Sequence, residues 1–384
     1  MQFTPDLDDL KKFRHQLHQH AETSNNEAFT SNIVKKKLEE YHPHKIIENV
    51  GGHGLVAIFK GKNPGKNVGI RADMDALPID EFLDLPYGSI TSNVAHKCGH
   101  DGHMTMVTGL GDYLQKNQPE YGDVYLIYQP AEETGEGAAR VIKSLKALNI
   151  HLDYLFGLHN LPGFEKNLIV SKKSIFAAAS KGMVIKLTGE TSHAAEPENG
   201  KSPGLAIAKI ITEITNLHKN HTFSSLTLAT VIHTVMGEIA FGTSPGYGEV
   251  RVTLRAMQDK DMHELTNLAE DIVIQAAKEN QLEQDISYIE SFPSTENSEY
   301  IFETLQKVAR LKNIAFNEIE KPFKWSEDFG HFKEITHTGF FGLGAGLEMP
   351  SLHSKEYDFP DEITATGIAM YIGLIEQFTS DVQD

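Results

Sequence analysis

The densest group of metal-competent side chains is His96-Lys97-Cys98-Gly99-His100-Asp101-Gly102-His103. A lone cysteine is ordinarily a small, inert core residue, and Cys98 is the only cysteine in the chain. Here, however, two glycines and several polar neighbours make a poor core strand. Cys98 and His100, two residues apart in a turn, can both point at one ion. The thiol must lose a proton with a reference pKa of about 8.5, and a divalent cation removes it outright. Three further segments end an apolar run in a residue able to bind metal. Residues 124–128 lead to Gln129-Pro130-Ala131-Glu132-Glu133, residues 154–158 to His159-Asn160, and residues 340–343 through a glycine loop to His353. In open α/β sheets ligands bind beyond the carboxyl ends of strands, so these groups can converge on one crevice. Taken singly, His159 or His353 reads as a structural histidine; the joint pattern does not. The two adjacent glutamates supply the roles hydrolysis needs, one as a ligand and one as a base that takes a proton from water.

Such a crevice needs a sheet with helices on both faces. Leu7, Leu10, Phe13 and Leu17 recur at helical spacing behind Thr4, which can cap a first helix with Pro5 in its opening turn. Short apolar runs at 55–59, 68–70, 124–128 and 154–158 then alternate with amphipathic stretches after residues 27, 102 and 135, the rhythm of a largely parallel α/β sheet. The pattern changes after Ala177. Strands at 181–187 and 226–235 flank a helix at 203–217, followed by a strand at 249–256, a helix at 261–279 and a strand at 286–290. Strand, helix, strand, strand, helix, strand is the order of a ferredoxin-like sandwich. The expected organisation is a first part of a catalytic domain over 1–177, an inserted α+β domain over 178–292, and the rest of the catalytic domain over 293–384.

Composition narrows the partners. The chain has 384 residues, 40% hydrophobic and 23% charged, the profile of a folded globular protein, and its net charge of −18 disfavours phosphate backbones and anionic lipid surfaces. A single cysteine excludes an internal disulfide framework, and neither a secretory signal nor an 18-residue apolar run is present, so a cytoplasmic location is expected, with no nucleic acid or membrane partner. Two motifs are decoys. Gly242-Thr-Ser-Pro-Gly246 matches the serine hydrolase elbow, but Pro245 has no N–H to offer an oxyanion. Gly200-Lys-Ser202 looks like the end of a phosphate loop, but Ala195 stands where the first glycine belongs.

Arg71-Ala-Asp-Met-Asp-Ala-Leu-Pro78, His96 to His103, Gln129 to Glu133, Gly157-Leu-His-Asn160, Ser192-His-Ala-Ala195, Ser326-Glu-Asp-Phe329 and Leu352-His-Ser-Lys-Glu-Tyr-Asp-Phe359 follow one another in a known order. With Arg14-His-Gln-Leu-His18 and Tyr357 to Glu362 they cover nearly the whole chain. The sequence resembles the metal-dependent amidohydrolases that include hippurate hydrolase, the auxin–amino acid conjugate hydrolases and N-acetyl-diaminopimelate deacetylase, relatives of aminoacylase and the carboxypeptidase G type. The resemblance implies two divalent metal ions, zinc before manganese, cobalt or nickel because the thiolate is soft. It implies Cys98, His100, Glu133, His159 and His353 as ligands, Glu132 as general base and Asp73 as a carboxylate orienting a ligand. His193, in the inserted lid domain, would hold the substrate carbonyl or developing oxyanion, from its own or a neighbouring subunit of a homodimer or higher homo-oligomer formed through that domain. The expected reaction is cleavage of the amide of an N-acyl amino acid or peptide-like conjugate, with a dipeptidase or carboxypeptidase as the alternative. Two departures stand out: Ala21 where the family has proline, and a segment from Glu238 to Tyr247 unlike the family's Asn-Val-Ile-Pro stretch.

Overall fold

Unbroken apolar runs build the strands nearest the expected site. Gly54–Phe59, Val68–Asp73 and Val124–Gln129 are buried at every residue, as strands with both faces covered must be. The computed structural model describes residues 3–380. In chain order the elements are α1 (Leu7–Gln19), α2 (Ala28–Glu39), β1 (Lys45–Val50), β2 (Gly54–Phe59), β3 (Val68–Asp73), α3 (His100–Lys116), β4 (Val124–Gln129), α4 (Gly137–Ala147), β5 (Tyr154–Pro162), β6 (Ile169–Ser171) and β7 (Ser174–Ala177). Next come β8 (Ala179–Thr188), β9 (Ser192–His193), α5 (Gly204–Thr215), α6 (Leu217–Asn220), β10 (Thr227–Met236), β11 (Thr243–Ser244), β12 (Tyr247–Ala256), α7 (Asp259–Glu279) and β13 (Glu283–Phe292). The chain returns through β14 (Thr295–Asn297), α8 (Glu299–Leu311), β15 (Phe316–Glu318), β16 (His337–Gly346) and α9 (Thr364–Thr379).

These elements form two compact units. The first comprises residues up to Phe176, Thr295–Lys321 and the chain from Asp328; the second comprises Ala177–Ser294 and Pro322–Glu327. In the first, an eight-stranded mixed sheet has the order β1-β2-β4-β3-β5-β16-β6-β15. The central strands β4, β3, β5 and β16 are mutually parallel, so their carboxyl ends share one edge, whereas β2 pairs antiparallel with β4 and β1 antiparallel with β2. Helices α1 and α9 both pack on α3 over a core that includes Leu10, Leu17, Met106, Leu110, Phe341 and Ile368.

In the second unit β12 alternates exposed and buried residues, because its antiparallel sheet, ordered β10-β12-β8-β13, has α5 and α7 to pack against. Its separate core includes Met183, Ile185, Ile210, Val252, Leu265 and Val273. The connection order and strand order are those of a ferredoxin-like sandwich. The start of α1 differs from expectation. Its N-cap is Asp6, whose carboxylate accepts from Asp9 N at 3.0 Å, and not Thr4; an acidic side chain there also complements the helix dipole. Among the described residues no helix is long and apolar enough to cross a membrane.

Candidate metal centre

The turn into α3 depends on Gly99. It has φ +92°, and a Cβ on it would meet Asn160 Oδ1 at 2.5 Å, so only glycine lets the chain swing from Cys98 to His100 this close to β5. Cys98 Sγ lies 3.3 Å from His159 Nε2, while the Nδ1 of His159 donates to the Asn160 carbonyl at 2.9 Å. His100 donates from Nδ1 to the Asp75 carbonyl at 2.8 Å. Its Nε2 is 3.8 Å from Glu133 Oε1, 4.0 Å from Glu132 Oε2 and 3.7 Å from Asp73 Oδ2. His353 Nε2 stands 3.6 Å from Glu133 Oε1. Ligand atoms of Cys98, His100 and His159, of Cys98, Glu133 and His353, and of His100, Glu132 and Glu133 lie within 4.8 Å of one another in each group. The five expected ligands, Glu132 and Asp73 therefore occupy one place in the first unit.

Other side chains share it, and sequence reasoning did not single them out. Asp75 uses its carboxylate to accept from the N–H groups of both Glu132 and Glu133, each at 3.1 Å. His103 sits between Asp73 Oδ1 at 2.6 Å and Asn160 Oδ1 at 2.5 Å. Arg71, wholly buried, donates to Asp73, Gln129 and Asp328. Asp73 thus braces His103 and faces the Nε2 side of His100. Asp75 and His103 belong to the quoted motifs; what the linear string lacks is which atom each would meet.

The donor set suits a cation. His100 Nε2 and Glu133 Oε1 are buried without a hydrogen-bond partner, a costly state for polar atoms unless something is bound between them. Burial pushes Glu133 up to about 7. Burial, with Glu133, Glu132 and Asp73 nearby, pushes the Cys98 thiol well above its ordinary range. Burial alone would lower His100, but Asp73, Asp75 and Glu133 outweigh it and raise it to about 10. His159 is held well below its usual value by burial and by His103. Positive charge at this point would offset the penalties on Cys98, Glu133 and His100, since thiolate, carboxylate and neutral imidazole are the metal-binding forms, and His159 is held neutral already.

The model of the peptidase family M20/M25/M40 matches residues 69–377. The chain belongs to that family. The hippurate hydrolase of Campylobacter jejuni is 31% identical over 382 residues, covering 97% of this chain and 98% of that one. A Bacillus subtilis protein described as a dinuclear metal-binding peptidase of family M20 superposes with a TM-score of 0.80 at 23% identity over 96% of this chain and 97% of that one. An aminobenzoyl-glutamate utilization protein from Klebsiella pneumoniae superposes with a TM-score of 0.75 at 18% identity over 97% and 95%. Membership of the M20 family makes the protein a hydrolase of amide bonds.

A buried charge network backs the Cys98 turn of this M20 chain. Arg14 donates to Asp101, Asp358 and Asp361 at 3.1, 2.9 and 2.6 Å. His18 donates to Asp101 at 2.8 Å and to Glu81 at 2.7 Å. The fully buried Lys97 reaches Glu81 and the Tyr357 carbonyl, and its own carbonyl accepts from His353 N at 2.8 Å. Lys97 therefore ties the Cys98 turn to the loop bearing His353. Burial would lower His18, but its bonds to Asp101 and Glu81 prevail and raise it to about 9. A folded value above the unfolded one of about 6.5 contributes stability that is complete below that pH and lost as pH rises through about 9, up to about 3 kcal/mol. The urea midpoint of the wild type should fall between about pH 6.5 and 9.5 by more than that of His18→Gln. Parallel curves for the two proteins would contradict this.

His193 lies in the second unit. It is exposed on β9, which pairs Thr243 of β11 with His193, and its Nδ1 accepts from Ala195 N at 3.0 Å. An accepting Nδ1 leaves the ring proton on Nε2, which makes that nitrogen a donor.

Proposed function

We propose that the protein hydrolyses the amide bond of N-acyl amino acids or similar amino acid conjugates, releasing a carboxylate and an amine. The observation that carries this reading is the pairing of Glu132 with the unpartnered His100 Nε2 and Glu133 Oε1, amid Cys98, His159 and His353. The hippurate hydrolase relative supports a conjugate of this kind. Cys98, His100, Glu133, His159 and His353 would hold two divalent ions, zinc being favoured by the thiolate and manganese, cobalt or nickel also compatible with the set. When bound, such ions polarise the scissile carbonyl and acidify water.

The chain's own residues do the rest. Glu132, held at its N–H by Asp75, takes a proton from the attacking water and delivers it to the leaving nitrogen. Asp75, through its carbonyl, fixes the ring of His100 with Nε2 turned toward Glu132 and Glu133. His193 donates from Nε2 to the oxygen on which charge develops.

Parallel assays of metal-reconstituted protein with acetyl- and benzoyl-amino acids and with dipeptides test the substrate class. A higher kcat/KM for acyl-amino acids, lost on chelation and regained on adding metal, is expected. Preference for dipeptides would establish the peptidase alternative, and undiminished turnover in metal-free protein would overturn the metal-dependent reading altogether.

A further inference from the structure

The turn that presents Glu132 is held by a carboxylate outside the reaction just described. Ala131 has φ +52°, a left-handed conformation that residues with a Cβ seldom adopt. The three consecutive N–H groups of Ala131, Glu132 and Glu133 all end on carboxylates. Asp75 takes those of Glu132 and Glu133, and Glu27 Oε1 takes that of Ala131 at 2.9 Å. The same Glu27 oxygen accepts from Asn25 N, also at 2.9 Å, and Asn25 is itself left-handed at φ +70°.

Glu27 is fully buried, and its other oxygen, Oε2, has no hydrogen-bond partner. Burying a half-satisfied carboxylate is costly. Although Glu27 stands at the N-cap position of α2, its side chain makes no capping bond to that helix. What its burial secures is therefore the pair of loop bonds, at Asn25 and at Ala131.

We infer that Glu27 is a positioning residue for catalysis. By holding the Ala131 N–H it fixes the left-handed turn, and with it the place of the Glu132 carboxylate one residue later. This rests on Glu132 acting as the base. Asp75 grips the N–H groups of both glutamates, so the loosening caused by loss of Glu27 begins at Ala131, next to the base and two residues from the metal ligand.

The test replaces Glu27 by methionine, which keeps length and volume but cannot accept, by alanine, and by glutamine, whose carbonyl oxygen can still accept both bonds. Glu27→Met is expected to lower kcat roughly 100-fold, the order produced by a misplacement of about 1 Å, with KM, metal content and thermal midpoint near wild type. Glu27→Ala should behave alike, and Glu27→Gln should recover most of the rate. In metal-free protein, amide hydrogen exchange at Ala131 should accelerate in the methionine and alanine variants and stay slow in the glutamine one. Adding Glu27→Met to Glu132→Gln should cost no further rate, because the residue acts through the group already removed.

Wild-type kcat in Glu27→Met, loss of metal in place of loss of kcat, or a full further loss in the double variant would each overturn the inference. If Glu132→Gln alone kept its rate, the base assignment would fail. The exchange at Ala131 would still report whether Glu27 holds the turn.

Discussion

Glu132→Gln is expected to lower kcat by at least about 100-fold, the lower range for a general base, while metal content and substrate affinity stay near wild type. The amide keeps the size of the side chain but cannot accept a proton from water. Its neighbour should behave differently. Glu133 Oε1 faces His353 at 3.6 Å and His100 at 3.8 Å, so Glu133→Ala removes the expected ligand atom nearest both histidines and should lose metal as well as rate. Elemental analysis beside steady-state kinetics separates the two. Near-normal rates in both variants, or loss of metal in Glu132→Gln alone, would show that the roles are wrongly divided. The proposed division rests on the backbone: Asp75 clamps both N–H groups, and successive residues in a turn send their side chains in different directions.

His193→Ala should leave metal content unchanged and lower kcat by about 100- to 1000-fold, the usual loss for one oxyanion donor. The motivating observation is the accepted bond from Ala195 N at Nδ1, which leaves Nε2 as the donor atom. A variant with full turnover would reduce His193 to its local part, ordering the Ser192 to Ala195 turn. If the chain dimerises, mixing His193→Ala with Glu132→Gln protein then reads which subunit supplies the imidazole. Recovered activity requires it to come from the partner.

The strands and helices were legible where burial pattern alone decides them. Residues 55–59 and 124–128 read as strands because unbroken apolar runs of that length suit a sheet covered on both faces, and they lie within β2 and β4. Strand β1 was not legible, since Lys45–Val50 is mostly exposed or half-buried and owes its conformation to pairing with β2. At the site, Cys98, His100 and the glutamate pair could be read because their side chains have few other uses at that spacing. Glu27 could not. Its importance lies in a bond to Ala131, 104 positions away, and nothing in Asn25-Asn26-Glu27 points to so distant a partner. Asp75 was hidden for a related reason: its carbonyl serves His100 and its carboxylate serves two backbone N–H groups, a double duty that only the folded geometry displays.

The place of β16 has a consequence for how the protein is made. This strand lies between β5 and β6 in the sheet, yet β8 to β13 all precede it in the chain. At about 5 to 20 residues per second, the side of β5 that will pair with β16 stays open on the ribosome for on the order of 10 to 30 seconds. During that wait the contiguous strands and helices of the second unit can gather around their own core. An open strand edge is a template for mispairing, so the nascent chain is most vulnerable in this interval. Until His337–Gly346 emerges, with His353 just behind it, the growing polypeptide has neither the last central strand nor the last of the proposed ligands.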